Sequence, residues 1–243
     1  MQAAEGTTIW EDSLLSQENR DAFRKEILDG LSPFYNPYLH LGITSLFGMA
    51  TIGGARFLIH DLRWWEWISI PLFYLFFNMS EWNIHKYMLH RRSRIAPVLY
   101  DRHTPVHHRI YLTDDMEIRT TREFALVLIP AYGIILVFAA TIPLTLLLWS
   151  LGLGNLAGLF MIVAMAYVLS YEWLHLAFHL PRGSWVGRRR LIRKLARFHA
   201  IHHDPRLMQR WNFNVTVPLW DRVKGTLLSQ WDEVPHGGPP PSA

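Results

Sequence analysis

The stretch GNLAGLFMIVAMAYVLSYEWLHLAFH, residues 154–179, carries no charged residue before Glu172 and then ends in two histidines. About 20 apolar residues are enough for a helix to cross the hydrocarbon of a bilayer. The segment therefore reads as a membrane span over 154–174 that delivers His175 and His179, four residues apart and so on one helix face, to the membrane surface. The fold follows from how often this pattern recurs.

Three more apolar stretches have a similar length: 38–59, 64–84 and 123–149. They account for a composition that is 50% hydrophobic and 14% aromatic, with 11 Trp and a mean hydropathy of +0.08. The expected fold is all-α, an integral membrane protein with four transmembrane helices and a cytoplasmic helical cap that holds a histidine-rich di-metal site.

Orientation follows from the cations. Of 24 Lys and Arg, 8 lie between Lys86 and Arg122 and 11 from Arg182 onward, while the SLGLG turn between the last two spans has none. The positive-inside rule places both termini and the 86–122 loop in the cytoplasm, in a bacterial inner membrane or the endoplasmic reticulum. Trp64, Trp65 and Trp67 are expected as an aromatic belt on the far side. The net charge of +4 suits a membrane-facing surface, and no nucleic-acid recognition module is visible.

Residues 1–37 read as a cytoplasmic segment containing an interfacial helix, with Leu15, Phe23, Ile27 and Leu28 at mostly helical spacing. A helix packed on the cytoplasmic domain fits the same spacing. MQAAEGTTIWED has no basic n-region, so no cleavable leader is expected. The membrane domain is expected over 38–226. Residues 227–243, ending in PHGGPPPSA, read as a disordered tail. The absence of cysteine excludes disulfide and thiol chemistry.

Ten of the 13 histidines form four clusters: His85 and His90; His103, His107 and His108; His175 and His179; His199, His202 and His203. His40, His60 and His236 stand alone and are assigned no chemistry. The clusters lie where the second and fourth spans emerge and in the segments after them, so all ten imidazoles can converge at one depth. His199, His202 and His203 share a helix face, whereas His85 and His90, at i and i+5, do not, which predicts a bend or end there. Neutral imidazole is the commonest ligand for first-row transition metals, and ten donors suit two ions with about five nitrogens each. EWNIH (81–85) and EWLH (172–175) each begin a set of five histidines, so the chain reads as two similar hairpins supplying five ligands apiece. Glu81 and Glu172 are positioned to accept an imidazole N–H and fix its tautomer.

On these residues the sequence resembles the fatty acid hydroxylase superfamily of membrane-bound histidine-box enzymes, which also contains sterol desaturases and methyl oxidases. EWNIHKYMLHR, LYDRHTPVHH, YEWLHLAFH and RFHAIHHD are similar to its boxes, and NFNVTVPLWDRVKGT (212–226) is similar to the segment that follows the last box. Two departures stand out: three residues rather than two separate His103 from His107, and Asn214 replaces the usual glycine. The resemblance implies that the ten histidines hold two iron ions that activate O2 to oxidise an unactivated C–H bond of a membrane lipid. Zinc can occupy such a site in purified material. No fused cytochrome b5-like domain is expected, so electrons would come from a separate ferredoxin, cytochrome b5-like protein or reductase. The basic run Arg188–Arg197 offers such a partner a docking face; lipid phosphate binding accounts for it equally. Hydroxylation of an acyl chain is the first reading. A sterol- or carotenoid-type desaturase or methyl oxidase is the second, and a metal transporter or scaffold the third. A transporter would carry its ligands along a path near mid-bilayer rather than at one face.

Overall fold

The structure, a computed structural model, describes residues 16–230. Those residues are helical and contain no strand; the sole β feature among them is an isolated Leu112–Asp115 bridge. In chain order the helices are α1 (Gln17–Asp29), α2 (Pro37–Arg56), α3 (Ser69–Ile84), α4 (Pro97–Arg102), α5 (His108–Ile110), α6 (Phe124–Val127), α7 (Ala131–Ser150), α8 (Gly154–His179), α9 (Arg190–His202) and α10 (Leu219–Lys224).

α8 is the central helix, and α2, α3 and α7 pack around it. Close approach to α2 depends on two glycines. A Cβ at Gly48 would lie 2.8 Å from the Leu169 side chain, and one at Gly158 would lie 3.0 Å from the Ala55 carbonyl and 2.7 Å from Ile59. Small residues serve the same purpose wherever apolar helices must associate without a hydrophobic gradient. Ala55, Met161, Ala164 and Met165 form the core of this bundle. With 26 residues, α8 is about 39 Å long. Its last turn carries His179 beyond the bundle into a second layer, where Ile110, Tyr111, Phe124, Leu126, Leu176 and Ala200 form another core.

Among the described residues, two stretches are long and apolar enough to cross a membrane, 121–150 and 154–179. α3 has only 16 residues because the expected 64–84 span begins as a 3-10 turn, Trp64–Ile68. The expected span at 123–149 is likewise not one helix. Leu128 is extended, and a new helix starts after Pro130. A residue before proline is disfavoured in the α conformation, which locates the break at Ile129–Pro130. The freed backbone groups find partners. The Ile129 N–H donates to Glu172 Oε1 at 2.9 Å, and the Ile129 carbonyl accepts from His40 Nε2 at 2.9 Å. His40, assigned no chemistry, thus has a structural task.

α1 corrects the reading of an interfacial helix. Its Phe23, Ile27 and Leu28 pack on the core beneath the site. Arg20 and Arg24, both buried, reach Asp115 at 3.4 and 3.3 Å, and Arg24 also lies 3.6 Å from Glu123. With the apolar face spent on the protein, that face is not available to lipid. Leu15 and residues 231–243 lie outside the described residues. The expected tail boundary at 227 is also too early: Leu228 is buried, and its N–H and C=O bond the Asn212 side chain at 2.7 and 2.9 Å.

Candidate metal centre

All ten clustered histidines are buried and converge on one site. They divide into two groups of five, each with its nearest nitrogens within 4.8 Å of one another: His85, His90, His103, His108 and His202; and His107, His175, His179, His199 and His203. Each group could hold a metal ion.

Local backbone geometry makes the first group possible. Residues His85–Leu89 form a π turn in which the His90 N–H bonds the His85 carbonyl at 3.1 Å. The wider turn brings i and i+5 onto one face, so the two rings stack with centroids 5.0 Å apart. The spacing that predicted a bend or an end is accommodated by one inserted residue within a continuing helical path. A second π turn, His103–His107, treats the next box in the same way: the His108 N–H points to the His103 carbonyl, and their Nε2 atoms lie 3.0 Å apart. The extra residue in this box therefore belongs to the π turn that brings His103 and His108 together. Thr104 joins the two turns by donating to the Leu89 carbonyl at 2.7 Å, leaving its oxygen to accept from His90 Nδ1 at 3.2 Å.

The two hairpins do not each build their own group. His107, from the first half, sits with the second-half histidines, and His202, from the second half, sits with those of the first. The cause is adjacency: in each HH pair the neighbouring side chains project about 100° apart around the helix, so one member faces each group. His108 and His203, the other members of these pairs, stack at the seam with centroids 4.1 Å apart. For the same reason His199, His202 and His203 do not act as one face.

Most of the imidazoles are oriented from behind. Nδ1 of His107, His179, His202 and His203 bonds the carbonyls of Leu126, Met116, Trp211 and Tyr111 at 3.0, 2.7, 2.8 and 2.6 Å, and Nδ1 of His85 bonds that of Phe213. A carbonyl accepts only, so these Nδ1 atoms carry the proton and their Nε2 lone pairs face inward. Nε2 of His90 lies 2.9 Å from Nε2 of His202, and each has its proton on the other nitrogen. Two such lone pairs repel unless a positive charge lies between them. A proton is a poor candidate for that charge. Burial, reinforced by neighbouring imidazoles, holds His90, His103, His107, His108, His199 and His203 well below the usual histidine range, and burial holds His202 at about 4.

The two acids do not accept from an imidazole. Glu81 Oε1 accepts the N–H groups of Val215 and Thr216 at 2.6 and 3.1 Å, while Oε2 accepts from Asn214 and Thr216 at 3.1 and 2.8 Å and from the Tyr167 hydroxyl. Its effect on His85 is indirect, through the loop whose Phe213 carbonyl orients that ring. Glu172 holds the Ile129 break, and its second oxygen has no partner. Both positions were chosen for their spacing to a histidine, but each carboxylate is used by backbone far away in sequence.

Asp221, not singled out from the sequence, completes the same support. Its carboxylate accepts from Trp82 Nε1, the Phe213 and Asn214 N–H groups and the Thr226 hydroxyl at 3.1, 3.0, 2.7 and 2.7 Å. Asn214, the departure from the usual glycine, donates to Glu81 and the Asn78 carbonyl and accepts from the Asp221 N–H at 3.0 Å. The buried positions Asn78, Glu81, Trp82 and His85 recur at helical spacing, and that polar face within an apolar helix is the signal that could have found this hub.

A cavity of about 440 Å3 adjoins the histidines, with His85, His103, His107 and His175 in its wall and mostly apolar side chains elsewhere. A model of the fatty acid hydroxylase family matches residues 70–226. No curated protein and no solved structure matches the chain.

Proposed function

We propose, from the premise that this chain belongs to the fatty acid hydroxylase family, that it hydroxylates an unactivated C–H bond in the acyl chain of a membrane lipid, using two iron ions held by the two histidine groups. The observation that carries the reading is the juxtaposition of two buried five-histidine groups with an apolar cavity. The overall change is R–H + O2 + 2 e− + 2 H+ → R–OH + H2O. Iron supplies the O2 activation, a chemistry no side chain provides. The donor set fits that role: inward lone pairs, orienting carbonyls behind them, and burial that keeps protons off.

The protein's own contribution is geometric. The Leu126, Trp211 and Phe213 carbonyls fix the rings, Glu81 and Asp221 fix the loop that presents Phe213, and the apolar wall excludes water from the reacting carbon. The electrons come from a separate redox protein. The exposed, basic face of α9, with Arg190, Arg193, Lys194 and Arg197, suits an acidic partner, and the last turns of that helix carry His199 and His202.

We place α2, α3, α7 and α8 across the membrane, with the site and both termini on the cytoplasmic side. Outward apolar side chains on all four helices support this, among them Leu46, Leu72, Leu146 and Trp173, as do the exposed Trp64 and Trp67 at the opposite end. The family domain would then run from about residue 38 through Leu228.

The test is metal content together with product mass. The expected result is two irons per chain and an O2-dependent lipid product one oxygen atom heavier. A product two hydrogens lighter would favour desaturation. No O2-dependent change in an iron-loaded preparation supplied with reductant would overturn the assignment. Zinc in the isolated protein would not bear on it, because nitrogen-rich sites bind zinc more tightly than ferrous iron.

A further inference from the structure

α3 and α7 both pack on α8, and the cavity lies in the gap between them. At the bundle end its wall is apolar, from Phe77 on α3 and Leu136 and Ala140 on α7. Leu136 is 61% exposed, so the gap opens sideways toward the surface that we place in lipid. The wall also contains Arg102, at the end of α4 and next to His103. Among the described residues that line the cavity, Arg102 is the only Lys or Arg. Its guanidinium donates to the Ala125 carbonyl at 2.6 Å and forms no ion pair with any described residue. A guanidinium has five N–H donors, so this bond leaves most of them free. The Arg122 charge lies on the same side, since both arginines act on the Tyr35 hydroxyl. The one carboxylate in the wall, Glu81, already accepts from Val215, Thr216, Asn214 and Tyr167.

An apolar slot with an unpaired cation in its wall matches a molecule with one apolar tail and one anionic end. We propose that the cavity selects lipids by charge: Arg102 binds the anionic headgroup, carboxylate or phosphate, while the tail lies between α3 and α7. This rests on the lipid-oxidation reading and names the class of lipid it takes. Arg102 is a specificity residue here, because an ion pair supported by hydrogen bonds favours the charged ligand over its neutral isostere.

The test uses full-length protein in detergent, loaded with redox-inert zinc so that binding is measured without turnover. Equilibrium binding of radiolabelled hexadecanoate, hexadecanol and a hexadecanoyl lysophosphatidate would be compared at a pH where the acid is ionised. We expect at least one anionic lipid to bind about tenfold more tightly than the alcohol. The tighter of the two identifies the headgroup. R102Q should abolish the preference while leaving hexadecanol affinity unchanged, R102K should retain part of it, and A140F should weaken all three ligands by obstructing the tail. Equal affinity for acid, phosphate and alcohol would overturn the proposal, as would an R102Q effect of the same size on the alcohol. Headgroup-dependent binding with no oxygenated product from the iron-loaded enzyme would sink the oxidation reading alone. Oxygenated product without headgroup preference would sink only this one.

Discussion

At the scale of single residues, the candidate site depends on hydrogen bonds made one step behind the clustered histidines. Thr104 both joins the π turns and accepts from His90 Nδ1, so T104V should weaken metal retention without removing a ligand. We expect about a 10- to 100-fold loss in affinity, read by competition with a chelator, alongside a loss of about 1–3 kcal/mol in the metal-free protein from the unpaired Leu89 carbonyl and His90 Nδ1. Asn214 makes a different case. Its amide joins Glu81, Asn78 and Asp221, none of which is a histidine. N214G would leave buried donors and acceptors unpaired and should cost about 1–3 kcal/mol, measured by denaturant titration; an unchanged midpoint would show that glycine is tolerated because water replaces the amide. H107A and H202A test the exchange of ligands between halves. Each should impair the metal group to which the other half supplies four of the five histidines, so metal-to-protein ratios near one, rather than two, are the expected readout.

At the scale of elements, helical spacing predicted which histidines lie near one another within a box, and the π turns then changed how they face. His85 and His90 were legible as a pair from their position at the end of an apolar helix. Their shared face was not, because it arises from a backbone hydrogen bond one residue wider than the α pattern. The apolar stretch 123–149 was legible as membrane-like in composition, but Pro130 and the distant acceptor Glu172 divide it. Contact between α2 and α8 is the element-scale feature most open to test. G158L would drive a side chain into the Ala55 carbonyl and Ile59. The backbone cannot move away cheaply, so a loss of about 1–3 kcal/mol and a lower melting temperature in detergent are expected, with an unchanged melting temperature refuting the close-packing argument.

At the scale of the whole molecule, ten buried imidazoles make the fold acid-sensitive when metal is absent. In the unfolded chain a histidine takes up a proton near its ordinary value of about 6.5, whereas in the folded protein His202 does so only at about 4. Between those values the unfolded state binds more protons, so stability present above about pH 6.5 falls as pH drops toward 4; for His202 alone the loss at pH 4 is about 3 kcal/mol. Melting temperatures of the metal-free protein recorded from pH 8 to 5 should therefore fall steeply, and a flat profile would show the imidazoles to be hydrated. The clustered histidines, the apolar helices and the family were all legible in the amino-acid sequence, because residue type, spacing and hydropathy are local properties of the chain. The sorting of His107 and His202 into opposite groups, the employment of Glu81 and Glu172 by remote backbone, and the cavity between α3 and α7 were not. Each of these depends on which side chains meet across more than 40 residues of chain, and local periodicity carries no information about such meetings until the helices have packed.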